Sequence, residues 1–549
     1  MFIKRNTSRR GDRVYTSVLL VQGERVPVPR GPGRPPKGST PKTKVVHRTL
    51  ANLSNLPEAM IAMLDRMCKA ERAGEPLDGF VSTDEPVVGP AYGPLAVLLT
   101  IARLLGIDRA LGPGRLPTLA LFLVLARVAH RGSRLSSVRW AESNAVAEVL
   151  GLGSFDEDDL YAALDWLETQ QARIEKELAP SAEAGAVFLY DVTSSYLEGQ
   201  QNELAAPGYN RDGKRYKKQI VAGLLTDVHG EPVSVQVYPG NTSDPDTVGD
   251  QVRKLAERFG AKEVVLVGDR GMIKAKGREL LKKEHFRYIT SLTDPEIRKA
   301  LGEGTLQLGL FDEHVTEVDG DGKRYILRRN PAMTARARQR AESQLERVRQ
   351  KVAARNDEVA KSKRAAPAVS LRTAEKLLKT YKLQHYVNVE LVGREVRLVV
   401  DEAAREERQA LDGCYVVVTD VPKELADTET IWERYGDLQE VEADFRTMKT
   451  TLLELRPIYL RLANRTRAHA LVTMLALKIA RALRRRVAPL GLTVEDALDR
   501  LQAVRLVTLA DPALRLWRLP TTWLAEQREL LAVLPPLPPP RLSLQSPGG

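Results

Sequence analysis

Cysteine is nearly absent from this sequence. The 549 residues contain two, Cys68 and Cys414, which lie far apart and without the spacing of a metal site. This excludes a disulfide scaffold and a cysteine zinc site, and it favours a reducing compartment. Long apolar runs are missing too, since the longest, around 116–126 and 470–477, fall well short of the ~18 residues of a membrane span. The basic N-terminus lacks the apolar core of a signal peptide. We therefore expect a cytoplasmic protein that does not use a membrane.

Two nucleotide-binding signatures are also absent. The sequence has no G-x-x-x-x-G-K-[ST] and no G-x-G-x-x-G after a predicted strand, so a nucleotide-binding α/β enzyme finds little support. Negative charge is in deficit, because 83 Lys and Arg face 71 Asp and Glu, a net charge of +12. This excess suits a polyanionic partner, usually nucleic acid, although a protein can be basic without one. Aromatic residues are only 5% of the chain, so its cores should consist mainly of Leu, Val and Ala.

The first 50 residues are predicted to form a β-hairpin and a basic linker. The segment 13–28 alternates in part and carries a Gly turn, which is typical of a hairpin. The segment 30–44 is rich in Pro, Gly and basic residues and is predicted to be extended and flexible. Its Gly33-Arg34-Pro35 core resembles an AT-hook, which would place Arg34 in a narrow minor groove of DNA. A plain solvated linker is the alternative.

Residues 51–180 are predicted to be helical. Apolar residues recur there at three- and four-residue spacing, for example in YGPLAVLLTIARLLGI and LPTLALFLVLARVAHRG. Basic residues gather within 127–139. The region is therefore interpreted as a helical DNA-binding domain, with an ordinary helical bundle that has a charged face as the alternative.

A mixed α/β layer is predicted over 181–292, where the pattern reads strand–strand–strand–helix–strand–helix–strand. Residues 293–430 break this rhythm and are predicted to be an insertion. It contains a charged helix at 332–356 that either lines a DNA groove or forms a solvated face. Helices resume over 431–490. The final region, 491–549, is predicted to be helical at first and to end in a disordered Pro-rich tail.

Two aspartates follow short apolar strands. Asp191 comes after Val187–Tyr190, and Asp269 comes after Val264–Gly268. Carboxylates at the C-terminal ends of neighbouring strands point into one crevice, which is where open α/β sheets place ligand sites. A strand-end Asp that only caps a turn is the alternative. Two such ends in one sheet favour a metal site.

A third acid lies within RYGDLQEVEADFRTMKT. Its Tyr435, Leu438, Glu442, Phe445 and Lys449 are spaced by three, four, three and four residues, so on one helix they would share a stripe. A carboxylate that faces a core is costly unless it is paired or binds a metal. The alternative is that Glu442 pairs with the arginine four residues later on a solvated face.

Three carboxylates suit the cleavage of a phosphodiester. That reaction passes through a charged, in-line transition state, which two divalent ions about 3.5–4 Å apart can stabilise. Carboxylates are hard oxygen ligands for Mg²⁺, with Mn²⁺ as a substitute. Lys449, two helical turns beyond Glu442, would contact a DNA phosphate as a point charge.

At this point the sequence resembles the DDE transposases of bacterial insertion sequences, in the group with the signature Y-x2-R-x3-E-x6-K. Here the signature reads Tyr435, Leu438, Glu442 and Lys449, with an aliphatic residue in place of the arginine. The resemblance covers roughly 180–300 and 410–490. It extends to the stretches DVTSSYLEG, GYNRDGKRYKKQIVAGLL, YPGNTSDPDT, GDRGMI and LRPIYLRLANRTRAH.

The resemblance implies an α/β fold with a ribonuclease-H-like catalytic core, interrupted by a mainly β insertion and preceded by a helical DNA-binding region. It implies that Asp191, Asp269 and Glu442 form the catalytic, metal-binding triad. The expected activity is metal-dependent cleavage at the ends of an insertion sequence, followed by strand transfer into target DNA. An inactive, inhibitory DNA-binding derivative and a nuclease that cuts without joining are the alternatives.

The resemblance also implies contacts with DNA. Tyr435 and Lys449 would contact DNA near the cleaved end, and Arg270 and Arg446 would contact phosphates. The expected partners are double-stranded DNA, as the terminal inverted repeats and the target, and a second copy of the chain in a homodimer that holds both ends. Such a protein would be bacterial and associated with the nucleoid when it is bound to DNA.

Overall fold

The structure, a computed structural model, forms two compact units. The first holds the described residues of Met1–Gly89 and Arg505–Thr521, and the second holds those of Pro90–Val504 and Thr522–Arg541. The described residues are 2–10, 13–27, 43–54, 58–74, 87–179, 186–199, 201–449 without 210, 212, 215, 261–262, 363 and 365, 453–508 without 454 and 456–457, 517–518 and 525–538.

The first unit contains a three-stranded antiparallel sheet in the order β1-β2-β3 and a helix, α1. Their bounds are Phe2–Arg10 for β1, Arg13–Pro27 for β2, Thr43–Asn52 for β3 and Glu58–Ala73 for α1. Val18, Leu53 and Ile61 form a small core between sheet and helix. A second small sheet has the order β16-β15-β4, with β4 at Val87–Ala91, β15 at Arg505–Thr508 and β16 at Trp517–Arg518.

The prediction of a hairpin within 13–28 is wrong, because the chain does not turn at Gly23. Gly23 lies inside the single strand β2, opposite His47 of β3, because β2 has partner strands along both edges. The hairpin of this region instead joins β1 to β2. Most of the predicted linker 30–44, including Arg34, lies outside the described residues.

Helices fill the N-terminal part of the second unit, as the apolar spacing predicts. Gly93 and Pro94 begin the first turn of α2, where a proline is favourable. α7 begins with a capping box in which Asp156 and Asp159 exchange hydrogen bonds. The bounds are Gly93–Leu104 for α2, Ile107–Leu111 for α3, Arg115–Ala129 for α4, Arg134–Ser143 for α5, Val146–Leu150 for α6 and Glu157–Leu178 for α7.

The centre of the second unit is an eight-stranded mixed sheet in the order β10-β11-β14-β9-β8-β5-β6-β7. β5, β8 and β9 run parallel to each other, whereas β6 and β7 continue from β5 as an antiparallel meander. The chain order is the predicted one and confirms an α/β layer. The bounds are Ala186–Tyr196 for β5, Gln219–Asp227 for β6, Pro232–Pro239 for β7, Asp244–Arg253 for α8, Val264–Gly268 for β8, Ala275–Lys283 for α9 and Arg287–Ser291 for β9. A π-helical turn, Lys254–Arg258, follows α8.

The segment 293–430 differs from the predicted mainly β insertion in two ways. Three of its strands, β10, β11 and β14, extend the main sheet beyond β9. Most of the rest is helical, because residues such as those of ARARQRAESQLERVRQK are strong helix formers. The bounds are Asp294–Gly302 for α10, Thr316–Gly320 for β10, Lys323–Arg329 for β11, Pro331–Lys361 for α11, Pro367–Tyr381 for α12, Val387–Val392 for β12, Glu395–Val400 for β13, Glu402–Gln409 for α13 and Cys414–Thr419 for β14.

The helices α11 and α12 and the hairpin β12–β13 have a core of their own, which we call the insertion core. It consists of Leu345, Val348, Val352, Ala374, Leu378, Leu383, Tyr386, Val387 and Val396. The part of α11 before Leu345 lies outside it and is mostly exposed. The insertion is therefore a helical module that is stabilised separately from the main sheet.

The C-terminal part of the second unit is helical. α16 is buried along most of its length and packs against α4, α7 and β7, while α15 packs against β5. The bounds are Thr428–Gly436 for α14, Leu438–Lys449 for α15, Ala463–Val487 for α16, Val494–Gln502 for α17 and Ala525–Val533 for α18. The end of the predicted disordered tail, 539–549, lies outside the described residues. Within the described part of the chain, no helix combines the length and apolarity that crossing a bilayer requires.

We predict that Leu345→Ala destabilises the insertion module alone. Leu345 is 1% exposed in the insertion core, and truncating a buried Leu costs about 2–5 kcal/mol. Limited proteolysis followed by mass spectrometry should show faster cleavage within 331–409 and unchanged protection of the main sheet. Met333→Ala is the matched control, because Met333 lies on the same helix and is 50% exposed. Equal proteolysis of both variants and the wild type would contradict a separate core.

Candidate active site

Two acids lie next to each other where the parallel strands β5 and β8 end their pairing. Tyr190 faces Gly268 at the last matched position, and the next residues are Asp191 and Asp269. Adjacent strands are about 4.8 Å apart, so the two side chains start from neighbouring backbone positions. The sheet register thus brings the two aspartates together. Asp269 follows the end of β8 as predicted, but the predicted strand end at Asp191 is wrong, because β5 continues to Tyr196 through its pairing with β6.

A cleft of about 380 Å³ opens at this edge of the sheet, and α15 forms its other wall. Glu442 of α15 lines the cleft together with both aspartates. Acids from three separate elements therefore border one space, and cations surround it. The lining residues are Asp191, Val192, Thr193, Arg211, Asp244, Asp269, Met272, Glu442, Phe445, Arg446 and Lys449.

The carboxyl group of Asp191 is largely buried and lies near two other negative charges. Burial, with smaller contributions from the negative charges of Asp269 and Glu442, raises its pKa to about 7. The backbone N–H of Val192 and the guanidinium of Arg211 lower the pKa without offsetting burial. The negative form of this group therefore lacks sufficient positive charge from the protein, as expected at a site that holds a cation.

Asp269 is fixed from its own loop and from α14. Its Oδ1 accepts a hydrogen bond of 2.7 Å from the backbone N–H of Arg270 and a longer one of 3.4 Å from the hydroxyl of Tyr435. That hydroxyl lies 2.9 Å from Oγ of Ser291, and the ring of Tyr435 packs at 5.9 Å from the ring of Tyr415. Burial raises the pKa of Tyr435, so the phenol stays protonated and donates.

The helix that carries Glu442 differs from the predicted single stripe. The helix is interrupted at Asp437, after Gly436, which is a poor helix former. Tyr435 therefore lies on α14 and Glu442 on α15. The inward face of α15 contains Leu438, Val441, Asp444, Phe445 and Met448. Glu442 is exposed and faces the cleft, so the expectation of a core-facing glutamate is wrong.

The buried acid of α15 is Asp444, which the sequence analysis does not single out. Its side chain is 2% exposed, and Arg481 of α16 donates to both of its oxygens at 2.8 and 2.9 Å. The same guanidinium bonds the carbonyl of His229 and faces Glu231 in the β6–β7 turn. Gly230 in that turn has φ +70°, and a Cβ there would lie 2.9 Å from Nη2 of Arg481. Asp444 and Arg481 thus tie α15 to α16 and to the sheet.

The predicted DNA contacts occupy different positions. Arg446 and Lys449 line the cleft. Arg270 is half-exposed beside it and lies 3.8 Å from Asp294. The sequence analysis missed Arg211, which forms an ion pair with Asp244 inside the cleft. Both residues belong to motifs quoted for the family resemblance, GYNRDGKRYKKQ and YPGNTSDPDT, and a charged residue in each was the available signal.

No group of three or more His, Cys, Asp or Glu side chains is close enough to hold a metal ion as it stands, within the part of the chain that the structure describes. The three acids of the cleft nevertheless share the chemistry of a divalent-cation site. All are hard oxygen donors, they come from different elements, and burial of Asp191 lacks compensation.

Comparison with known proteins identifies the class. The family described as "Transposase DDE domain" matches residues 183–478, which include the whole cleft. The chain therefore belongs to the DDE transposase family. A search of curated proteins finds no match. Among solved structures, the piggyBac transposase synaptic complex with hairpin DNA is similar at a TM-score of 0.35 and 9% identity, over 74% of this chain and 76% of that one.

We predict that Arg481→Met lowers the free energy of unfolding by about 3–5 kcal/mol, because it leaves the buried carboxylate of Asp444 without its partner. Chemical denaturation followed by circular dichroism measures the loss. The double variant Asp444→Leu with Arg481→Met should recover most of it, since neither charge remains. Arg347→Met, at an exposed position of α11, is the control. Wild-type stability of Arg481→Met would show that this ion pair does not hold α15.

Proposed function

We propose that the protein is the transposase of a bacterial insertion sequence, which cleaves DNA at the element ends and joins them to target DNA. The observation that carries the proposal is the convergence of Asp191, Asp269 and Glu442, from β5, the loop after β8 and α15, on one cleft. Membership of the DDE transposase family supports it. Water is the nucleophile in cleavage, and the freed 3′-hydroxyl is the nucleophile in joining.

The residues of the cleft fit divalent cations. Asp191, Asp269 and Glu442 would hold Mg²⁺, with Mn²⁺ as a substitute, because they offer hard oxygen ligands and an excess of negative charge. When bound, such ions stabilise the attacking and leaving oxygens of a phosphodiester displacement. The cation would also relieve the repulsion among the three carboxylates, so metal binding and closure of the acids around it are coupled.

The cations of the cleft would orient the scissile phosphate. Arg446 and Lys449 lie on the same helix as Glu442, one and two turns further on respectively, and Arg211 faces them from the β5–β6 loop. Positive groups at these positions attract a phosphate and align it with the acids. Tyr435 is proposed to position Asp269 through its hydroxyl, in addition to the DNA contact expected from the family. Arg270 and Arg34 are proposed as outer contacts with DNA.

The wider assignments rest on the same proposal. Five strands in the order β7-β6-β5-β8-β9, with β5, β8 and β9 parallel, support a ribonuclease-H-like core. The helical region 51–180 is proposed to bind the terminal inverted repeats, and the net charge of +12 supports duplex DNA as the partner. Holding two ends requires two active sites, so a homodimer is proposed as the active form. A bacterial, cytoplasmic protein that associates with the nucleoid through DNA fits these roles.

We predict that Glu442→Gln abolishes cleavage and joining while DNA binding survives. The amide keeps the size of the side chain and removes the charge that a divalent ion needs. The assay incubates the full-length chain with Mg²⁺, a plasmid that carries the element with its flanking ends, and a second plasmid as target. Glu440→Gln is the matched control, because Glu440 lies on the same helix, is 58% exposed and does not line the cleft.

The outcomes separate the alternatives. Cutting and joining that are lost only in Glu442→Gln support the transposase. Cutting without joining by the wild type supports a nuclease. Binding of the ends without any cutting supports an inhibitory derivative. Equal activity of Glu442→Gln and the wild type would remove Glu442 from the site.

We predict that Tyr435→Phe reduces metal affinity at the site. The substitution removes the hydroxyl that faces Asp269 at 3.4 Å and Ser291 at 2.9 Å and keeps the ring packing on Tyr415. Loss of a hydrogen bond to a metal ligand typically costs about 10–100-fold in affinity, and the length of this one places it at about tenfold or below. Cleavage measured against Mg²⁺ concentration should show a raised half-saturation point. Tyr415→Phe, which keeps the hydroxyl of Tyr435, is the control. A lower maximal rate with an unchanged half-saturation point would instead indicate a DNA contact.

A further inference from the structure

The loop between β5 and β6 returns to the cleft after leaving the sheet. Its base is closed by a hydrogen bond of 3.0 Å from the N–H of Leu197 to the carbonyl of Lys218. Its middle is attached to β5 near the acids, since the backbone N–H of Arg211 donates to Oγ of Ser194 at 2.9 Å. The side chain of Arg211 then pairs with Asp244 in the cleft. The loop is therefore held in place beside the site.

Two tyrosines of this loop point into solvent. Tyr209 is 84% exposed, and Tyr216 is 104% exposed. Tyr216 also has a φ of +75°, a conformation that a bulky residue rarely adopts. Exposing a large aromatic ring to water is unfavourable, and a strained backbone adds to this free-energy cost. Neither ring contributes to a core, so these costs indicate a role outside folding.

The tyrosines alternate with basic residues. The segment 209–218 reads YNRDGKRYKK and contains five Lys and Arg against one Asp. Two of the lysines are placed by neighbours on β5 and its end, because Lys217 bonds Glu198 at 2.6 Å and Lys214 lies 6.0 Å from the ring centre of Tyr196. Exposed rings interleaved with cations match the pattern by which proteins hold single-stranded nucleic acid.

A third exposed tyrosine continues the same edge. Leu197 pairs with Ile458 in a parallel bridge, and the N–H of Ile458 reaches the carbonyl of Tyr196 at 3.5 Å. The next residue, Tyr459, is 69% exposed. Arg211 is attached to the sheet at Ser194, and the segment that carries Tyr459 is attached at Leu197. Three residues of an extended strand span about 10 Å, so these two attachment points are about 10 Å apart. We call Tyr209, Tyr216 and Tyr459 the tyrosine edge.

We propose that the tyrosine edge stacks on unpaired bases of the DNA strand whose phosphate lies in the cleft, with Tyr209 and Tyr216 as the principal contacts. This inference rests on the proposed function. A ring can stack on a base only when the face of that base is open, and in a duplex both faces are covered by neighbouring base pairs. The edge therefore selects a locally opened strand, while the lysines and Arg211 follow its phosphates. Stacking of this kind tolerates any base sequence.

The test measures binding without cleavage. The full-length chain is titrated, in EDTA, with a 30-base-pair duplex that is either blunt or extended by six unpaired thymidines and one 2-aminopurine at its 3′ end. The wild type should bind the extended duplex more tightly and quench the 2-aminopurine fluorescence. Tyr209→Leu and Tyr216→Leu should each weaken binding of the extended duplex about 5- to 50-fold and leave the blunt duplex unchanged.

Two comparisons keep the result unambiguous. Tyr209→Phe and Tyr216→Phe keep the ring and should bind like the wild type, and Leu425→Ala, at an exposed position outside the edge, is a surface control. Equal binding of the extended duplex by the Leu variants and the wild type would overturn the proposal, as would equal losses on both duplexes. Ring-dependent binding together with absent cleavage would leave the stacking inference standing and refute the transposase. Absence of any DNA binding would refute both.

Discussion

The parallel pairing of β5 with β8 is the constraint on which the site depends. It matches Tyr190 with Gly268 and so places Asp191 and Asp269 at adjacent positions, where two negative charges repel each other. Like charges at this range raise the pKa of a buried carboxyl, and burial together with these charges raises the pKa of Asp191 to about 7. A fold that keeps such an arrangement has uncompensated negative charge at one point. A bound divalent cation is the simplest group that would neutralise this charge.

The third acid reaches this point by a different route. Glu442 belongs to a helix, and no strand register fixes a helix against a sheet. Asp444 supplies the missing constraint. Both of its oxygens accept from Nη1 of Arg481, which joins α15 to the buried helix α16, and the same guanidinium faces Glu231 in the β6–β7 turn. A buried ion pair contributes little net stability but penalises every arrangement that separates its charges. This favours positional precision over strength.

The sequence predicts the parts of the fold that depend on local patterns. The strand and helix order from β5 to β9 follows from short apolar runs and turn residues, and Asp191 and Asp269 are found because each ends such a run. The surroundings of Glu442 are not predicted, because spacing alone cannot tell which of two faces of α15 is buried. Residues 438, 441, 445 and 448 fit an apolar stripe as well as the predicted set does, and the break at Asp437 shifts the helix toward it. The family resemblance implies a mainly β insertion, yet α11 and α12 are helices and β11 and β14 pair with the main sheet, a long-range pairing that no local pattern records.

The site also divides its work between rigid and exposed parts. The three acids lie on elements that a strand register and a buried ion pair fix in the fold. Arg211, Tyr209 and Tyr216 lie on a loop attached to that frame at Ser194 and Leu197, and Tyr459 follows the residue that pairs with Leu197. Phosphate contacts carry no sequence information and weaken as salt rises, so the cations of the cleft alone would hold a duplex in any register. Exposed rings near the acids can distinguish an opened strand from a duplex, because stacking on them stabilises binding only where bases are unpaired. In the proposed mechanism, an opened strand is therefore the form of DNA that brings a phosphate to Asp191, Asp269 and Glu442.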